Sequence, residues 1–453
     1  MLKRLIDWHL LKWKESTNRK ALLIRGARQV GKTHSVRNLA KTFDDFIEIN
    51  FELTKDARQI FEKDLKPERI LNELALFSAK KIEPGKTLLF FDEVQGAPEV
   101  IQALRYFFEL IPSLHVIAAG SLLDFAIEDT GMPVGRVSTF YLYPMSFLEF
   151  LSAKEESLLI DPILNCNQHQ PISELIHSKL INLVGEYLAI GGMPEAVAKW
   201  VESKNPKECF QVHHDLIDSY RQDFQKYAKK NQIKYVDLLF NQIPLFIGQQ
   251  FQYKNIHGDF RKRELAPCID LLSKANVIHK IHHTAANGLP LGAEINLEWF
   301  KVIFLDVALC QAILGLDLST WFLKPGSEFI NRGEIAEMFV GQELLSYSHP
   351  KKKSALYFWK RDARGSQAEV DFIYDFSGEI LPIGEILPIE VKHGKNGRLK
   401  SLQLFLEEHK KSPYGIRFSS QNYSFFQRID SRPLYAVASL THPDLEESLR
   451  SLI

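Results

Sequence analysis

Two groups of residues have the types and spacing for phosphate chemistry. Gly26-Ala27-Arg28-Gln29-Val30-Gly31-Lys32-Thr33 fits G-x-x-x-x-G-K-[ST] at every fixed position. Glycines at 26 and 31 let the backbone fold tightly and aim amides at phosphate oxygens, and a helix beginning there favours anions. Lys32 can reach the β- and γ-phosphates and Thr33 can ligate Mg²⁺, so residues 26–33, with His34 after them, are expected to hold ATP. Further along, Thr87-Leu-Leu-Phe-Phe-Asp-Glu-Val-Gln95 is an apolar run closed by two acids. Asp92 fits a second ligand for the same Mg²⁺, and Glu93 fits a base or water-orienting group for attack on the γ-phosphate. In Leu114-His-Val-Ile-Ala-Ala-Gly-Ser121, Ser121 is either a phosphate sensor or an ordinary turn serine.

The second group lies near the carboxyl end. In a strand, positions i and i+2 share a face, so Glu390 and Lys392 point together. With Asp371 from the preceding hairpin-like run, Glu390 can hold Mg²⁺ against a scissile phosphate while Lys392 orients a water and steadies developing charge. The stretch EILPIGEILPIEVK carries EILPI twice, at 379–383 and 385–389, but Gly384 stands where the second copy has Glu390, so only the second copy can act. An even offset of six preserves strand parity. Pro382 and Pro388 argue against an interior, fully paired strand in either copy.

These residues need elements to position them. The apolar runs before Gly26, before Asp92 and before Ser121 read as strands of a parallel sheet buried on both faces. From about 146 to 230 the pattern is helical, broken at Cys166–Pro171 and at Gly191-Gly-Met-Pro194, as in a lid or connector. A helix from Tyr235 to Ile247, the basic Phe260-Arg261-Lys262-Arg263, a helix from Glu264 to Ala275 and the alternating Val277–His283 with a return strand give winged-helix order. Such a module either docks on DNA or serves as a protein scaffold. His279, His282 and His283 read as exposed strand histidines rather than metal ligands. Next come a helix over Asn331–Leu345, a basic-aromatic strip from Lys351 to Arg361, a hairpin over Glu369–Phe376 turning at Ser377-Gly378, and a last helix from Leu399 to His409.

The chain of 453 residues is long enough for about three domains. With 45% hydrophobic and 25% charged residues it is globular in composition, and 56 acids balance 56 bases, so any nucleic-acid contact must come from local patches. The four scattered cysteines suit reduced thiols. The start, MLKRLIDWHLLKWKE, reads as an amphipathic helix rather than a signal peptide, no apolar run is long enough for membrane insertion, and a cytoplasmic location is expected.

GARQVGKT, LLFFDEVQ, AAGS, Gly135-Arg136 and Tyr143-Pro-Met-Ser-Phe-Leu-Glu-Phe150 together resemble the prokaryotic AAA-type P-loop ATPases that carry a further uncharacterised domain. Gly191-Gly-Met-Pro-Glu-Ala196 and Lys301-Val-Ile-Phe-Leu-Asp306 extend the resemblance over essentially the whole chain. It implies that Arg136 contacts the γ-phosphate, in cis or across a subunit interface. The carboxyl-terminal pattern is similar to the restriction-endonuclease-like PD-(D/E)XK nucleases, which implies a helical acid, Glu337 or Glu334 one turn earlier, completing the metal site, with Gln403 either assisting or facing solvent. The expected fold is therefore α/β and multidomain: a P-loop ATPase domain with a parallel sheet over 1–150, a helical lid over 151–230, a winged-helix-like module over 231–310 and a nuclease-like domain over 311–453. The expected function is Mg²⁺-dependent ATP hydrolysis whose nucleotide state controls a nuclease-like tail acting on DNA. The alternative is an ATP-driven switch or scaffold with a catalytically inactive tail that binds protein or nucleic acid. Oligomers are compatible with both.

Overall fold

The computed structural model describes residues 2–315, 333–362, 367–375, 385–392, 399–440 and 445–453. Strands β1 (Ala21–Arg25), β2 (Asp45–Asn50), β3 (Thr87–Asp92), β4 (His115–Gly120) and β5 (Val137–Tyr141) form one sheet in the order β2-β3-β4-β1-β5. Every pairing in it is parallel. The continuous apolar runs of β3 and β4 are buried at every position, because helices cover both faces. Arg25 pairs with Gly120 and Asn50 with Asp92. The loop after β1, the two acids after β3 and Ser121 after β4 therefore leave the sheet at its carboxyl end, where ligand sites of such sheets form.

Five helices follow: Phe147–Ala153, Ile160–Asn165, Glu174–Ile190, Pro194–Ser203 and Pro206–Tyr227. The break at Gly191-Gly192 is a docking point. A Cβ at Gly192 would lie 2.2 Å from the Met145 carbonyl oxygen, and the Gly192 N–H donates to Asp306 Oδ2 at 2.6 Å.

The second sheet holds β6 (Ile278–Thr284), β7 (Ile295–Phe304), β8 (Tyr357–Lys360), β9 (Glu369–Asp375), β10 (Ile386–Val391), β11 (Gly415–Ser419), β12 (Ser424–Phe426) and β13 (Ile429–Pro433). Their order is β12-β13-β11-β10-β9-β8-β6-β7, with parallel pairs β10/β11, β11/β13 and β6/β8. Helices Ile233–Gln242 and Lys262–Lys274 precede the antiparallel β6–β7 ribbon, in the expected helix, helix, ribbon order. The ribbon does not stand free like a wing, however, since β6 pairs with β8 through His282↔Tyr357 and His283↔Phe358 and so extends the carboxyl-terminal sheet.

Two local expectations are corrected. Pro388 lies inside β10, between β9 and β11, opposite Ile373. Its missing N–H costs nothing there: Ile386 and Lys392, of the same parity, point their N–H groups toward the β11 side, and pairing with β11 starts only at Ile389↔Ile416. The histidines of β6 are packed rather than exposed. His279 lies against Tyr143 at 5.6 Å and burial pushes it down to about 4, while His283 contacts Trp299 and Phe358. The first EILPI copy and the Ser377-Gly378 turn fall outside the described residues.

One apolar core runs from the first sheet through these five helices into the second sheet, and another fills the opposite face of the first sheet. Among the described residues no helix is long and apolar enough to cross a membrane.

Candidate functional site

The loop between β1 and helix Lys32–Ala40 has the backbone its sequence requires. Gly26 has φ +153° and Gly31 has φ +99°, and a Cβ at Gly26 would meet the Leu142 carbonyl oxygen at 2.2 Å. Lys32 Nζ donates to the carbonyls of Gly26 (3.0 Å) and Ala27 (2.7 Å), so the ammonium sits at the loop's own mouth. Burial pushes this lysine down to about 8.

Thr33 Oγ1 donates to Asp92 Oδ2 at 2.9 Å, and Asn50 Nδ2, beside Asp92 in the sheet, donates to the same oxygen at 3.3 Å. Burial, then neighbouring Glu93, raises the Asp92 carboxyl above its ordinary range. Glu93 has φ +52°, a left-handed conformation uncommon for a side chain of this size, and Gln95 Nε2 holds its Oε2 at 2.6 Å. The buried Ser121 Oγ has no partner among the described residues. It lies one residue past Gly120, which is paired with the residue before Gly26. Thr33, Asp92, Glu93 and Ser121 thus gather around the loop, and an oxygen pair beside an orphan hydroxyl fits a magnesium-bound phosphate.

Beside Gly31 and the exposed His34 lies a cavity of about 570 Å³, lined also by Leu2, Arg4 and Pro194, the first residue of helix Pro194–Ser203. Arg28 points elsewhere, to Asp223 on helix Pro206–Tyr227, with its Nη1 3.0 Å from both oxygens, and Tyr220 Oη donates to the Arg28 carbonyl at 2.6 Å. Ala27, Gln29 and Val30 complete the loop, Gln29 at φ +61°.

Arg136 is not in this group. It precedes Val137, which pairs with Ala21 at the amino end of β1, whereas the loop follows Arg25 at the carboxyl end. That puts it roughly 13 Å of strand away from its own loop. It pairs instead with Glu109 at 2.6 Å.

Spacing alone does not single out Arg4. Its Nη1 donates to the Val30 carbonyl (2.7 Å), its Nη2 to Tyr143 O (2.9 Å) and its Nε to Glu149 Oε1 (2.9 Å). Glu149 also accepts the N–H groups of Leu5 and Ser146. The Ser146-x-x-Glu149 capping box is legible in the sequence; the second duty of Glu149 is not. One residue on, Phe147 N–H donates to both oxygens of the buried Glu343, on helix Gly333–Ser346.

Glu337, on that same helix, faces the carboxyl-terminal acids. Asp371 Oδ2 accepts the Val391 N–H at 2.8 Å, and Glu390 Oε1 lies 2.5 Å from Lys392 Nζ, the shared face expected of i and i+2. At their centre is a residue that spacing did not suggest. Lys301 Nζ, from β7, is 2.9 Å from Glu337, 2.6 Å from Glu369 and 3.6 Å from Asp371. In a flat sheet β7 and β9 would lie roughly 14 Å apart, so this contact requires the curl that the register shifts in β6 and β8 provide. Burial opposes the charge on Lys301, but Glu337, Asp371 and Glu369 together hold it well above the ordinary lysine range. Burial moves Glu337 and Glu390 upward. Among the described residues no group of three His, Cys, Asp or Glu is arranged to hold a metal ion. Glu334 and Gln403 are exposed.

Residues 18–151 match a family described as an AAA domain, 181–320 a domain of unknown function (DUF8612) and 332–436 another (DUF4143). None of the curated proteins compared matches the chain. Among solved structures, it is similar to the Walker-type ATPase PABY2304 of Pyrococcus abyssi at 17% identity, covering 69% of this chain and 96% of that one, with a TM-score of 0.45. It is also similar to the Signal Transduction ATPase with Numerous Domains protein PH0952 of Pyrococcus horikoshii, at 14% identity over 75% of this chain and 48% of that one, TM-score 0.25. The amino-terminal third is an AAA-type P-loop ATPase domain.

Proposed function

We propose that this protein is a Mg²⁺-dependent ATPase that works as a switch, its nucleotide state governing the carboxyl-terminal region through helix Gly333–Ser346. The observation that carries the reading is the hydrogen-bonded line from the P-loop to that helix: Val30 carbonyl, Arg4, Glu149 with Ser146, then Phe147 N–H on Glu343. Lys32 exchanges the loop carbonyls for the β- and γ-phosphates, Ser121 donates to the γ-phosphate, and Glu93 orients the attacking water. Thr33 and Asp92 hold the magnesium ion, which offsets phosphate charge. The cavity beside His34 takes the base. Arg136, at the far end of its own sheet, acts on the nucleotide of a neighbouring copy, so turnover requires an oligomer.

The helices before β6 and the second sheet form a winged-helix-like and nuclease-like tail, over about 231–310 and 311–453, behind a lid over 151–230. The exposed Arg261, Arg263 and Lys351–Lys353 are its phosphate-facing bases toward DNA. Lys301 among the acids favours the reading in which this tail binds without cleaving.

Lys32→Ala is expected to abolish ATP turnover and also the ATP-induced change in amide-exchange protection of helix Gly333–Ser346. Undiminished turnover would remove the P-loop assignment, and turnover without any change in the helix would remove the switch. Metal-dependent cleavage of DNA or RNA that Lys392→Ala abolishes would restore the nuclease reading.

A further inference from the structure

The expected metal ligands of the tail come together with an ammonium among them, while the buried Glu390 Oε2 has no partner among the described residues. Glu337 Oε1 is engaged by Lys301 at 2.9 Å. Asp371 spends Oδ2 on the Val391 N–H and has Oδ1 3.6 Å from the same ammonium. Glu390 directs Oε1 to Lys392. Glu369, which the spacing argument passed over, supplies the shortest contact to Lys301, 2.6 Å.

We propose that Lys301 is the resident cation of this acidic cluster, its ammonium standing where a divalent ion would stand, so that the tail holds no metal among these acids and is an ionic joint rather than a hydrolytic centre.

Three features support this beyond the presence of acids. An ammonium has three donors and no acceptor, which matches three carboxylates arranged about one point. Lys301 is only 1% exposed and its Nζ lies 5.5 Å from the centre of the Phe358 ring, so the ammonium is shielded from water. Among the described residues its strand, β7, pairs only with β6 at the sheet edge, and that pairing shifts register at His282/His283, where a bulge lets the edge bend. A Mg²⁺ or Mn²⁺ ion would need oxygens at about 2.0–2.2 Å and would face both Lys301 and Lys392 at close range, a repulsion that the low dielectric of the interior strengthens. Through Glu337 the same ammonium fastens β7 and β9 to the helix that Glu343 ties to the ATPase domain.

The inference rests on the proposed reading of Glu337, Asp371 and Glu390 as a would-be metal set, and it is independent of ATP turnover. It is tested by counting bound Mn²⁺ by electron paramagnetic resonance in the full chain without nucleotide. The background is Thr33→Ala, so that the P-loop adds no ion. The expected result is no saturable Mn²⁺ sensitive to Asp371→Asn, and one Mn²⁺ per chain in Lys301→Ala that Asp371→Asn removes. One Mn²⁺ per chain with Lys301 intact, lost in Asp371→Asn, would overturn the proposal. So would a folded Lys301→Ala chain that gains no ion. If Lys301→Ala does not fold, the count with Lys301 intact still decides. ATP turnover, measured separately with Thr33 intact, reports on the proposed function alone.

Discussion

Arg4→Ala tests whether the amino-terminal helix is wired to the P-loop. The guanidinium is 3% exposed and makes three hydrogen bonds, to Val30 O, Tyr143 O and Glu149. Bonds from a charged donor are each worth about 1.5–3 kcal/mol, but the truncated residue no longer has to be desolvated. What remains is the cost of leaving Glu149, itself 2% exposed, without its counter-charge. Removing one partner of a buried pair costs about 3–5 kcal/mol. Because this chain has several domains, the loss should be read locally, by amide exchange within helix Leu5–Glu15, rather than from a single unfolding curve. Exchange at Leu10 and Trp13 should accelerate by about two to three and a half orders of magnitude. Arg4→Lys should lose less, since it keeps the charge but cannot span three acceptors. Exchange in Arg4→Ala within about threefold of the parent would refute the reasoning, because even a shared surface pair is worth up to about 1 kcal/mol.

Burial pushes Glu343 up to about 8. Its contribution to stability is therefore full below the ordinary carboxylate range and lost as pH rises through about 8, and Glu343→Gln should flatten that part of the decline in amide-exchange protection factors of helix Gly333–Ser346 measured from pH 5 to 9. Arg136→Ala and Lys32→Ala chains, each inactive alone, should regain part of their ATP turnover when mixed if Arg136 serves a neighbouring copy; full activity of Arg136→Ala alone would dismiss that role. Asp306 caps helix Val307–Ile313 through Ala308 and Leu309 and also accepts the Gly192 N–H. Asp306→Ala should cost about 2–4 kcal/mol of local stability, read by amide exchange within helix Val307–Ile313, the sum of a lost cap and a stranded buried donor.

The residues that spacing singles out are those whose chemistry is local. A glycine-rich loop needs Gly26 and Gly31 in sequence with Lys32 and Thr33, and a buried strand ending in Asp92-Glu93 shows itself by its unbroken apolar run. The same locality makes Glu390 and Lys392 share a face, and they do so at 2.5 Å. Pro388 misled because a rule about strand interiors does not say on which side the missing N–H falls. The β6 histidines misled because their pattern looks the same whether a neighbouring element covers the strand or not.

By itself, then, the sequence determined the parallel sheet, the ends from which its ligating residues emerge, and the pairing of residues two apart in one strand. Short-range backbone sterics and side-chain periodicity carry that information. Only the tertiary structure decided that Arg4 grips the P-loop from 26 positions away, that Arg136 lies at the far end of its own sheet, and that Lys301 enters the acidic cluster. Each of these depends on which strand lies beside which and how far the sheet curls. A lone lysine in the apolar run Trp299-Phe-Lys-Val-Ile-Phe304 signals that a buried charge needs partners, but finding them requires the fold.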